Sequence, residues 1–84
     1  MKRENILKFL DREKCKIVDN ELIDYAINLS QGEGDFNMYE DMLFTRKYKH
    51  ADDRLYYHIG LVAYFGLNAY VNPKDIDYLK VLSA

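Results

Sequence analysis

The stretch 55-LYYHIGLVAYFGLNAYV-71 decides how this chain is read, because its 17 residues include no Lys, Arg, Asp or Glu. Wound as a helix, the run is apolar on nearly every side, the mark of a helix packed among others. A membrane span needs about 20 predominantly apolar residues. This run is shorter and contains four tyrosines, His58 and Asn68, so it predicts the central helix of a bundle rather than a span. Gly60 and Gly66 each cost a helix about 1 kcal/mol against alanine. They predict a close approach by a neighbouring helix, or a break near Gly66. The run's surplus apolar surface is a candidate homodimer or partner interface.

Reading outward, "NPKD" (72–75) starts another helix, with Asn72 as its cap, Pro73 at the first helical position and Asp75 in the first turn. Ile76, Leu79 and Leu82 form its inner stripe. In the other direction, Asp52 and Asp53 stand before the apolar run as a cap and as charges suited to the helix dipole. His50 is placed ahead of that helix. A helix over about 37–47 is capped by Asp35 or Asn37 and turns Met38, Met42, Leu43 and Phe44 inward. "QGEG" (31–34) separates it from a helix beginning at Asp19 or Asn20, in which Leu22, Ile23, Ala26, Ile27 and Leu29 recur at helical spacing. "CKIV" (15–18) reads as a short extended connection to a first helix over 3–12, whose inner side is Ile6, Leu7, Phe9 and Leu10. The expectation is an all-α fold. It is a compact bundle of four or five short helices in one domain over 1–84, with an apolar central helix near residues 52–71.

Eighty-four residues leave little room for an enclosed substrate pocket, which favours binding at the outer surface over catalysis. Cys15 is the one cysteine, so an internal disulfide is excluded and a reducing, cytoplasmic compartment fits. The N-terminal "MKRENILKFLDRE" is charged throughout and has no apolar core of the kind a secretory signal needs. Lys, Asn, Ile and Tyr are common while Gly, Ala, Arg and Pro are scarce, a bias that follows AT-rich codons and fits a low-GC bacterium, a phage or a mobile element.

The formal charge of −2 hides a segregation: residues 1–16 sum to +3, 17–45 to −7, 46–58 to +2, and 59–84 balance. The middle block contains seven acids and no Lys or Arg. Asp19, Glu21, Asp24, Glu33, Asp35, Glu40 and Asp41, with Tyr25, Phe36 and Tyr39 as anchors, form a candidate face for a protein partner with a basic surface. The alternative is nucleic acid bound through Arg46, Lys47, Tyr48, Lys49, Arg54 and Tyr57, which mix cations with rings able to stack on bases. Three acids near the start of the 37–47 helix, and an isoelectric point near 5.6, weigh against that reading.

Catalytic and metal chemistry find little support. His58 lies five and six residues from Asp53 and Asp52, spacings that do not share a helical face, so no metal set forms with them. Cys15 with His50 or His58 is a conceivable nucleophile–base pair, and Lys14 and Lys16 would lower the pKa of an exposed thiol. A lone cysteine before "IV" is more often a small buried hydrophobe. No phosphate-binding or cofactor-binding motif is present. The expected function is therefore a small intracellular interaction module, an adaptor or inhibitor, with no cofactor.

Overall fold

A computed structural model describes residues 1–69 and 76–83, and the regular structure among them is entirely helical. The elements are α1 (Arg3–Arg12), α2 (Asn20–Ser30), α3 (Phe36–Thr45), α4 (His50–Phe65), a 3-10 turn (Gly66–Ala69) and α5 (Ile76–Ser83). The radius of gyration, 11.7 Å, is close to the ~12 Å expected of a compact chain this long. No helix among the described residues is long and apolar enough to cross a membrane.

Local chemistry sets the helix ends. Asp19 caps α2 by accepting the Leu22 N–H, and Asp35 caps α3 by accepting the Asn37 N–H. α2 stops where Gly32 adopts φ +81°, a conformation that costs glycine little. α4 stops at Gly66, with φ +65° and ψ −154°. The break expected near Gly66 is thus present. Asp52 and Asp53 occupy the first turn of α4 and suit its dipole. They do not cap it, because the helix begins earlier, at His50, with Lys49 in the capping position and no side-chain cap bond. Asn72, Pro73 and Asp75 lie outside the described residues.

α4 is the central element, touching α2, α3, α5 and the 3-10 turn. The core is drawn from α1 (Ile6, Phe9, Leu10), α2 (Leu22, Ile23, Ala26, Leu29), α3 (Tyr39, Leu43), α4 (Tyr56, Ile59, Val62, Ala63) and α5 (Leu79, Leu82). Leu7 and Ile76, expected inside, are each about 40% exposed.

The register of α3 also departs from expectation. Met38 and Phe44 are more than half exposed, and Tyr39 is fully buried in place of Met38. Gly60 is the reason. A Cβ there would lie 2.6 Å from Tyr39 Cδ1 and closer still to Cε1, so only a glycine lets the ring lie against α4. The Tyr39 hydroxyl donates to the Tyr56 carbonyl at 2.5 Å, which satisfies the polar tip of a buried ring.

Candidate interaction surface

The acidic block divides in two. Asp19 faces inward: its carboxylate accepts from the Leu22 N–H, the Arg46 guanidinium at 3.1 Å and the Tyr48 hydroxyl. Its main-chain N–H donates to the Tyr56 hydroxyl at 2.8 Å, and that hydroxyl donates to the Ile17 carbonyl at 2.7 Å. Burial pushes the Asp19 carboxyl up, but Tyr48, Leu22 and Arg46 together outweigh it and hold its pKa below the usual value. Burial and the adjacent carboxylate push the Tyr48 hydroxyl up to about 12. Lys47, in the left-handed region at φ +54°, reverses the chain between the two residues that reach Asp19.

Two further acids are also paired. Glu21 meets Arg46 at 2.9 Å, and Asp24 meets Arg3. The Asp24–Arg3 pair is exposed and contributes little stability, and the Glu21 end of the other pair is open to solvent. Tyr25 ties down the α2–α3 loop, its hydroxyl accepting the Asp35 N–H at 3.1 Å. Five residues expected on the acidic face are therefore structural: Asp19 and Tyr39 are turned inward, Glu21 and Asp24 are paired, and Tyr25 is a loop tie. Arg46 and Tyr48, expected to contact nucleic acid, are likewise committed to Asp19.

Asp35, the α3 cap, is structural as well, and Glu33, Glu40 and Asp41 remain. Among the described residues none of them forms an ion pair. A continuous aromatic surface runs along the outer edge of α3 and α4. Phe36 contacts Tyr57, Tyr64 and Phe65 at ring separations of 6.0, 5.7 and 5.5 Å. Phe44 stacks on Tyr57 at 6.3 Å, and Tyr64 meets Phe65 edge-on at 4.8 Å. Phe44, Tyr64 and Phe65 are 58%, 50% and 47% exposed. Rings at Phe36 and Phe44 share one side of α3 with Glu40 between them, because residues four apart stack along a helix. Phe36 opens α3 and meets the end of α4, while Phe44 near the end of α3 meets Tyr57 early in α4, so the two helices run antiparallel.

The aromatic surface continues into an open groove of about 1030 Å³. Its floor is the outer face of α4, at His50, Arg54, Tyr57, His58 and Leu61; Phe9 of α1, Glu13 just after that helix and Phe44 of α3 also line it. His58 stacks on Phe9 at 5.9 Å with ring planes 6° apart. Asp53 also lines the groove, with one carboxylate oxygen buried and no hydrogen-bond partner for it among the described residues. Both histidines line this groove, but no three His, Cys, Asp or Glu side chains among the described residues converge as a metal site would require.

Cys15 is half-buried, and its thiol donates to the Ile17 carbonyl at 3.4 Å. Burial raises its pKa, the Ile17 contact opposes this, and Asp52 adds to the rise. That is the reverse of an activated nucleophile, which needs a depressed pKa. Lys14 and Lys16 do not prevail over burial and Asp52.

Sequence reasoning named Phe36, Glu40 and Tyr57 but assigned them to competing sites, and it placed Phe44 in the core. Tyr64 and Phe65 belong to the apolar run already marked as a candidate interface. No family model matches the chain, and neither a curated protein nor a solved structure matches it.

Proposed function

We propose that this protein is an interaction module, an adaptor or inhibitor rather than an enzyme, that docks another protein on the α3–α4 aromatic surface. The observation that carries this reading is the unbroken set of ring contacts through Phe44, Tyr57, Phe36, Tyr64 and Phe65, with three of the five about half exposed. Scattered apolar side chains on a surface are ordinary, whereas a contiguous patch with a polar border has the anatomy of an interface. Glu40, on the same side of α3 as Phe36 and Phe44, adds a negative charge to that surface and favours a partner with a basic group at the matching position. The nucleic-acid reading retains Lys47, Lys49 and Arg54 but loses Arg46 and Tyr48 to Asp19, which makes it the weaker of the two.

The test is a pull-down from nuclease-treated lysate of the source cells, comparing the wild-type chain with Phe44→Ser/Phe65→Ser. A protein captured by the wild type and lost by the variant, at unchanged helical content, supports the reading. Undiminished capture by the variant overturns it. Capture seen only when nuclease is omitted, and lost on charge reversal at Lys47, Lys49 and Arg54, would transfer the function to nucleic acid.

A further inference from the structure

We draw no further inference here: the strongest candidate, the open groove along the outer face of α4 beside Phe9, Phe44 and Tyr57, mixes Asp53 and Glu13 with Arg54, and the unpartnered Asp53 oxygen in its lining is closed off from solvent, so nothing in the structure shows what covers it.

Discussion

Replacing Gly60 with alanine sets two effects of opposite sign against each other. In an open helix, Gly→Ala gains about 1 kcal/mol through backbone entropy. Here the new methyl would stand 2.6 Å from Tyr39 Cδ1 and 3.1 Å from Cζ, against the 3.5–4.0 Å at which carbon atoms pack best. The ring must retreat by about 1 Å. It has little room to do so, being fully buried, flanked by Tyr25 and Phe36 and held by its hydroxyl to the Tyr56 carbonyl. Overpacking of this kind costs about 1–3 kcal/mol, and a broken buried hydrogen bond adds about 1. The net expectation is a loss of about 1–3 kcal/mol, a fall in Tm of roughly 5–20 °C for a chain this size.

Thermal and urea unfolding followed by circular dichroism reads that loss directly. Tyr39→Leu, itself destabilising, supplies the second arm of a double-mutant cycle, because a leucine leaves room beside residue 60. In that background Gly60→Ala should be neutral or stabilising. A Gly60→Ala protein with a higher Tm than wild type would refute the packing of Tyr39 on α4, and with it the α3 register that exposes Phe44.

Other sites give simpler expectations. Gly66 has open space around it but a backbone conformation reserved for glycine, so Gly66→Ala should cost about 1–3 kcal/mol from strain alone and show no coupling to Tyr39→Leu. Asp19 has a depressed pKa in the folded state; its contribution is complete above the unfolded pKa near 4 and is lost as pH falls through the folded value. The stability gap between wild type and Asp19→Asn, about 1–3 kcal/mol at neutral pH, should therefore hold from pH 7 to 5 and close below about pH 4 in urea titrations. Tyr56→Phe leaves the Asp19 N–H and the Ile17 carbonyl without their partner, and should lower unfolding free energy by about 1–3 kcal/mol at unchanged helical content. The raised pKa of Cys15 predicts slower reaction with a disulfide reagent at pH 7.5 than an unstructured cysteine peptide shows.

Elements governed by neighbours in sequence were legible. The Asp19 and Asp35 caps, the glycine stops at 31–34 and 66, and α1 over 3–12 all follow from contacts within a turn or two. The α3 register was not legible, because Met38–Met42 and Tyr39–Leu43 are equally good apolar stripes at helical spacing. What selects between them is a missing side chain 21 residues away, at Gly60. The Asp19 cluster was hidden for a similar reason. Its partners Arg46 and Tyr48 are 27 and 29 residues downstream, and a regional charge count records their signs without pairing them.

That pairing changes what the charge segregation means. Asp19, Glu21 and Asp24 answer Arg46 and Arg3, so part of the acidic block is a device for drawing both basic flanks onto α2. Folding accounts for those charges. It does not account for Glu33, Glu40 and Asp41, which take part in no ion pair among the described residues, nor for the three half-exposed rings of α3 and α4. A solvated acidic edge needs no aromatic neighbours, and the largest contiguous apolar patch on a small protein is often a functional one. Glu40 and the exposed rings on one edge of α3 and α4 have a common explanation in a partner that is apolar at its centre and basic at its border.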